Sequence, residues 1–555
     1  MAADPSPEPA AAPSALAPLA RPVFRALWIA ALVSNVGYWM QSVGAVWQVG
    51  SGGGSAAQVA LVQTAVSLPV VLLALPSGAA ADVFDRRRLL LTTQTWMLLS
   101  AAALCAATVL GVASPNVVLA LTFLLGLGNA ANAPAWQATI PELVGGRLLA
   151  PAVALNSAGF NIGRAVGPAL GGLVVAAAGP AAVFGLNAVS FLGVLAVLWR
   201  WRRRPQDEMG AGERVLGAMG AGVRYVRFAP PLRAVLVRTA LFILPASALW
   251  ALLPVVARGR LGMDATGFGL LLGALGIGSV LGAVLLPRVR RAVPIDRRVV
   301  AGTCLFALAT VALAVLRSAA LVWLAMVAAG IAWLAILTSL NVATQTAVPR
   351  WVRARALAVY LLVFQGGLAA GSALWGVAAA RLGERTALLA AAASFGLGVL
   401  AALRWRLQGI GTLDLTPSVR PEPVTVIDPE PDDGPVLVLI RFRVDPARAE
   451  EFAAAMRAMR RVRRRDGAYR WGLFEDVAGP GCFVETFVVR SWAEHLRQHE
   501  RFTADDLAVR DRLRSFHLDE DPPEVSHFIH PDAAATQRRW VRWTRRQGEP
   551  VQADE

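Results

Sequence analysis

Three cysteines in 555 residues leave little room for redox or metal chemistry. Cys105 and Cys304 fall inside apolar runs and Cys482 stands alone, with no C-x-x-C or ligand spacing, so neither a disulfide framework nor a metal site is expected. Charge is scarce: 16% of residues, against roughly 25% in an ordinary soluble domain. Lysine is absent, so all 53 basic residues are arginine. No basic segment precedes an apolar core in residues 1–20, which are rich in Pro and Ala. That excludes a cleavable signal peptide and reads as a disordered tail. No Asp or Glu lies in the middle of a long apolar run; Asp82, Glu142 and Glu384 sit at run ends.

What is present is hydrophobicity, at 56% of residues with a mean hydropathy of +0.53. It is unevenly spread. From Phe24 to Arg406 long apolar runs alternate with clustered charges, and from Gly434 onward the chain reads as soluble protein. The net charge of +16 does not point to nucleic acid, because the arginines fall between apolar runs rather than on one soluble face.

A helix crossing the hydrocarbon core needs about 20 mostly apolar residues. Twelve runs qualify: 24–49, 57–81, 89–112, 116–140, 149–178 and 181–200, then 234–257, 265–287, 297–316, 320–345, 355–380 and 386–404. Alternate connections carry roughly 20 arginines against 5, which puts the arginine-rich connections and both termini in the cytosol of a multi-pass plasma (inner) membrane protein. The expected layout is a tail (1–20), a six-helix bundle (21–201), a linker with an amphipathic surface helix (202–233), a second six-helix bundle (234–407), a Pro/Asp/Glu-rich linker (408–434), a soluble domain (435–530) and a tail (531–555).

The two bundles are related at an offset of 208 residues. Gln137-Ala-Thr-Ile-Pro141 overlies Gln345-Thr-Ala-Val-Pro349, Arg147 meets Arg355, Gly159 meets Gly367 and Gly163 meets Gly371. Copies six spans apart keep the same membrane orientation, which describes a parallel repeat with a substrate path between the halves.

Two motifs carry a family resemblance. Gly78-Ala-Ala-Ala-Asp82-Val-Phe-Asp85-Arg86-Arg87 follows the second run, where an Asp at a helix end beside a basic loop can pair and release as a latch. Gly163-Arg164-Ala-Val-Gly167-Pro168-Ala-Leu-Gly171-Gly172 lies in the fifth, with glycines for close helix packing and a proline that bends the helix. The first resembles the loop signature of the major facilitator superfamily at Gly78, Asp82, Arg86 and Arg87, departing at Val83 and Asp85. The second resembles that superfamily's antiporter signature at Gly163, Gly167, Pro168, Gly171 and Gly172; Trp375-Gly376 stands in place of Gly-Pro in the second half. Residues 132–172 are similar to the branch that includes the enterobactin exporter and macrolide-efflux-like permeases. The resemblance implies efflux of a drug- or siderophore-like small molecule by alternating access, coupled to protons, with a cytosolic gate at the first motif. It implies no cofactor.

Arg164 is the main ion within a span; it either faces a central cavity, attracting an anionic substrate, or pairs with a carbonyl or carboxylate. Asn35, Gln41, Gln63, Asn129, Asn132, Gln137, Asn161, Asn341, Gln345 and Gln365 are the other polar cavity candidates.

The soluble segment reads as β-α-β-β-α-β: strands at 435–444, 469–474, 482–489 and 525–530, helices at 446–465 and 494–516. The expected fold is therefore an all-α polytopic membrane protein of twelve helices, 6+6, followed by a small α+β ferredoxin-like domain. That domain resembles the dimeric α+β barrel group, which implies homodimerisation. His495 and His499 share a helical face, but two imidazoles lack a third ligand. The alternative to a transporter is a membrane-tethered enzyme or sensor whose activity resides in this domain.

Overall fold

The computed structural model describes residues 14–201, 224–407, 414–416, 418 and 429–530. Most of the two expected linkers and the outer tails lie outside the described residues.

Among the described residues, eleven helices are long and apolar enough to cross a membrane. They are α1 (Pro22–Ser51), α2 (Ala56–Val83), α3 (Arg86–Val109), α4 (Pro115–Val144), α5 (Leu149–Arg200), α6 (Pro230–Gly259), α7 (Ala265–Ala292), α8 (Ile295–Val315), α9 (Ala319–Thr346), α10 (Arg353–Leu382) and α11 (Glu384–Arg404). Helices dominate because lipid offers no partner to backbone N–H and C=O groups, and a helix satisfies them within one segment. Polar caps mark several starts: Asp85, Ser114 and Asp264 each accept a hydrogen bond from the amide three residues on.

The fifth helix accounts for eleven rather than twelve. Its 52 residues are two helices that adjoin at a kink, where Gly179 sits at φ 77°, ψ 171°. At 1.5 Å per residue an unbroken helix of that length would span about 78 Å, against roughly 30 Å of hydrocarbon. Gly179-Pro180 is where the chain turns: the glycine adopts the left-handed φ and the proline opens the next segment at little cost. Gly383 (φ 84°) makes the matching break between α10 and α11.

The offset of 208 residues reappears as packing. A Cβ placed on Gly163 would lie 2.9 Å from Asn35 on α1, and one on Gly371 would lie 2.6 Å from the Leu244 carbonyl on α6. Each glycine thus seats its helix against the first helix of its own half.

Two compact units are present. The first holds the described part of Met1–Gly210 with Leu236–Leu340 and Tyr360–Arg406. The second holds the described residues of 211–235 and 407–555, together with Asn341–Val359. The second unit contains a four-stranded antiparallel sheet of β1 (Val436–Arg443), β2 (Arg470–Glu475), β3 (Cys482–Val489) and β4 (Val525–Ile529), in the order β2-β3-β1-β4. Helix α12 (Ala449–Asp466) covers it, burying Phe452, Met456 and Met459 against Phe442 and Phe483. The single helix expected over 494–516 is instead two, α13 (Trp492–Arg501) and α14 (Ala504–Arg514). Phe502 ends the first and Thr503 caps the second: its hydroxyl donates to Asp506, whose carboxylate also accepts from the Thr503 amide.

Candidate functional site

A cavity of about 520 Å³ opens within the first half, among α1, α3, α4 and both segments of α5. Its wall follows helical periodicity. Asn129, Asn132, Trp136 and Gln137 recur on one face of α4; Ser34, Asn35 and Tyr38 do so on α1; Asn156, Phe160 and Asn161 do so on α5. No lining residue is charged. The volume lies within the usual range for small-molecule sites.

The wall is partly wired together. Asn132 Oδ1 accepts from Thr93 Oγ1 (3.0 Å) and Gln94 Nε2 (3.3 Å), and Asn156 Oδ1 accepts from Trp136 Nε1 (2.8 Å). Gln94 is buried, and its Oε1 has no hydrogen-bond partner among the described residues. A buried acceptor left bare costs about 1–3 kcal/mol.

Of the sequence candidates, Asn35, Asn129, Asn132, Gln137 and Asn161 come together on this wall. The others do not line it. Gln41 is buried and bonded to Asn187, Gln63 donates to Ser67 in its own helix (3.0 Å), and Gln345 donates to Asn341 one turn earlier (2.7 Å). Gln365 is half-buried on α10. Arg164 is half-buried, lies off the cavity wall, and makes no hydrogen bond or ion pair among the described residues. Gln94 and Asn156 were not anticipated, although Asn156 sits five residues before Asn161 on the same helix. The second half differs: Phe242, Phe306, Trp333 and Phe395 fill its centre, with ring centroids 5.5–6.0 Å apart.

The first motif leads into the start of α3, and the second runs from the middle of α5's first segment toward Gly179. At the arginine-rich end, Arg86 pairs with Glu142 on α4 (2.6 Å) and Arg87 donates to the carbonyls of Leu198 and Trp199 at the end of α5 (2.9 and 2.7 Å). The side chains of residues 78–83, Gly78 and Asp82 included, lie outside the described ones. Toward the other end the halves meet backbone to backbone. A Cβ on Gly172 would lie 2.5 Å from the Ala265 carbonyl and 2.9 Å from Gly269 Cα on α7. Gly376 faces Ala57 and Ala60 on α2 in the same manner, Thr64 donates to the Ala369 carbonyl (2.9 Å), and Arg258 lies over Trp47 (6.0 Å). Gly163, Gly167 and Gly171 seat α5 on α1, each against main-chain atoms of Asn35, Val36 or Met40. Pro168 is buried in the same stretch, and its carbonyl lies 2.9 Å from where a Cβ on Gly269 would stand.

In the soluble domain His495, His499 and His527 cluster, with ring centroids 4.9 and 4.7 Å from His495. No group of three or more His, Cys, Asp or Glu among the described residues is arranged to hold a metal ion. His495 is buried, and the Gln498 side chain interacts with its ring. Burial pushes its pKa down to about 3, helped by His499, His527 and Arg463; burial lowers His527 as well. The unfolded chain protonates such a ring near 6.5 and so binds the proton first. Stability is therefore full above about pH 6.5 and falls as pH drops toward 3, by up to about 1.4 kcal/mol per pH unit. Hydrogen exchange at residues 492–499, corrected for intrinsic rate, should accelerate between about pH 6.5 and 4. His495→Leu should flatten that dependence; an unchanged profile would contradict it.

A bundle of apolar helices whose halves meet through glycines beside a polar cavity defines a membrane transporter of the major facilitator type. The helical part matches a bacterial homolog of the human lysosomal transporter Spinster in an inward-facing, unoccupied conformation, at TM-score 0.58 and 15% identity, over 70% of this chain and 98% of that one. It also matches the nucleoside transporter NupG (TM-score 0.54, 15% identity, 69% and 99% covered). The chain belongs to the MFS_3 family of transmembrane secretion effectors, whose profile matches residues 13–536. This is a family of multi-pass transporters, not enzymes. Among curated relatives, the multidrug efflux pump Tap of Mycolicibacterium fortuitum is 33% identical over 268 residues, 46% of this chain and 64% of that protein. The staphyloferrin A transporter of Staphylococcus aureus is 27% identical over 259 residues (46% and 64%). The enterobactin exporter EntS of Shigella boydii is 28% identical over 268 residues (47% and 62%). The chain spans less than two thirds of the length of these relatives.

Proposed function

We propose that this protein is a secondary-active exporter of an uncharged, amphiphilic small molecule, working by alternating access between two six-helix halves. Gly179 divides the fifth helix into two crossings, giving twelve spans in this reading. The arginine-rich end faces the cytosol, and the state described is one sealed at the far end by Gly172 and Gly376. The observation that carries the reading is the cavity of about 520 Å³, rich in carboxamides and aromatic rings and free of charge. Amides and aromatic rings recognise hydrogen-bonding groups on an apolar body, and a chemically tolerant pocket of that kind suits a drug- or siderophore-like cargo. Efflux direction is supported by the antiporter motif and by relatives described as an efflux pump and as an exporter.

Arg86, Arg87 and Glu142 serve as the cytosolic latch, joining the starts and ends of α3, α4 and α5 where a gate must open. Proton coupling is then assigned to Asp82, the acid of the loop motif. The soluble domain, whose strand order is that of a ferredoxin-like fold, serves regulation or pairing of two copies rather than catalysis.

Everted membrane vesicles energised with a proton gradient test the proposal against a panel of fluorescent amphiphiles. Gradient-dependent accumulation of at least one compound, absent from vesicles lacking the protein, is the expected result. A full panel with no gradient-dependent flux would sink it.

A further inference from the structure

Outside the transport path, the second unit carries a groove lined by arginine. We propose that this groove binds the phosphate headgroup of an anionic phospholipid from the leaflet at which α6 enters the membrane.

The groove has two lobes, of about 730 and 300 Å³, sharing Phe228 and Arg460. Arg457, Arg460, Arg461 and Arg464 line it from α12, at the spacing that places residues on one helical face. Arg512 adds to it from α14 and Arg227 from the segment before α6. None of these six arginines makes an ion pair among the described residues. The guanidinium of Arg461 donates to the Arg457 carbonyl (3.3 Å) and that of Arg464 to the Tyr469 carbonyl (2.5 Å), which holds them in place without neutralising them. The one acid on the wall, Glu451, is paired with Arg448 from outside the groove (3.3 Å). Six unneutralised guanidiniums around one space repel one another, and that arrangement favours an anion as occupant.

The floor is apolar: Phe228, Ala454, Ala455 and Ala458 contribute it. A free phosphate has no use for such a floor, whereas a glycerol backbone and the upper acyl chain do. Position supports a lipid over a soluble acidic partner. Phe228 lies two residues before Pro230, the first residue of a candidate span, and even an extended chain keeps that separation to about 7 Å. Clustered arginines directly beside a membrane helix attract anionic lipid and lose that attraction within a Debye length of the surface.

The full chain, purified in a nonionic detergent, is titrated with phosphatidylglycerol and with phosphatidylcholine, and bound lipid is counted by native mass spectrometry. Phosphatidylglycerol should bind at least about tenfold more tightly than phosphatidylcholine, and the triple variant Arg457→Gln, Arg460→Gln, Arg461→Gln should lose at least about tenfold of that affinity. The corresponding triple Lys variant, which keeps the charge, should stay within about threefold of the parent. A Gln variant that binds as the parent does overturns the proposal. So does an equal loss in the Lys variant, which makes the effect one of folding rather than charge. Inorganic phosphate competing as well as the lipid does would make this a free-phosphate site instead.

Discussion

Gly172→Ala should reduce transport by at least about tenfold at normal membrane abundance, while Gly273→Ala on the facing helix stays within about twofold. Both substitutions add one methyl group to the same α5–α7 crossing. At Gly172 the new Cβ would meet main-chain atoms of two residues on α7, the Ala265 carbonyl at 2.5 Å and Gly269 Cα at 2.9 Å, and backbone cannot rotate aside. The helices must separate. At Gly273 the nearest atom is Ala169 Cβ at 3.6 Å, an ordinary contact. In lipid no hydrophobic force restores a helix contact once its close packing is lost, so the cost falls on the association of the halves. Initial rates of vesicle uptake, normalised to protein in the membrane, decide between the two. Equal rates would show that the Gly172 crossing does not hold the halves together.

Asn132→Leu and Gln94→Leu should each raise the substrate concentration needed for half-maximal uptake by about tenfold, for different reasons. Gln94 donates to Asn132, so its loss removes a bond that holds the Asn132 carboxamide in place on the wall. Asn132 also accepts from Gln94, so its loss leaves that buried amide donor bare and should lower abundance as well, whereas the Thr93 hydroxyl keeps the Leu89 carbonyl as acceptor. Asn341→Leu is the control: its carboxamide is occupied by Gln345 in the same helix, and half-saturation should stay within about twofold. A cavity variant indistinguishable from Asn341→Leu would remove that wall from the binding site.

The bundle was legible because its signal is length and polarity, which survive without knowledge of contacts. Ten of the twelve runs emerge as separate helices within a few residues of the expected limits, and the other two adjoin at Gly179-Pro180, a turn visible in the sequence. The motif glycines were legible as packing residues, but not what they pack on: Gly163 and Gly171 meet α1 of their own half, whereas Gly172, one residue on, meets α7 of the other. The cavity was half legible. Five of the ten polar candidates that were neither glycine nor charged reach its wall, because helical spacing gives a face but not which way that face turns. Gln94 escaped notice in a helix start crowded with Thr93 and Thr95. Glu142 was seen only as a residue at a helix end; its bond to Arg86 spans 56 positions and has no local mark. In the soluble domain, His527 lies on the last strand, far in sequence from His495, and only the β1–β4 pairing brings them within 4.7 Å.

Everything turns on cargo leaving through the bundle from the arginine-rich side. Side-resolved uptake of one identified compound measures this most directly. Accumulation in everted vesicles, lost in Gly172→Ala and missing from right-side-out vesicles under the same gradient, is the predicted result. Accumulation confined to right-side-out vesicles, or flux untouched by Gly172→Ala, would contradict the account.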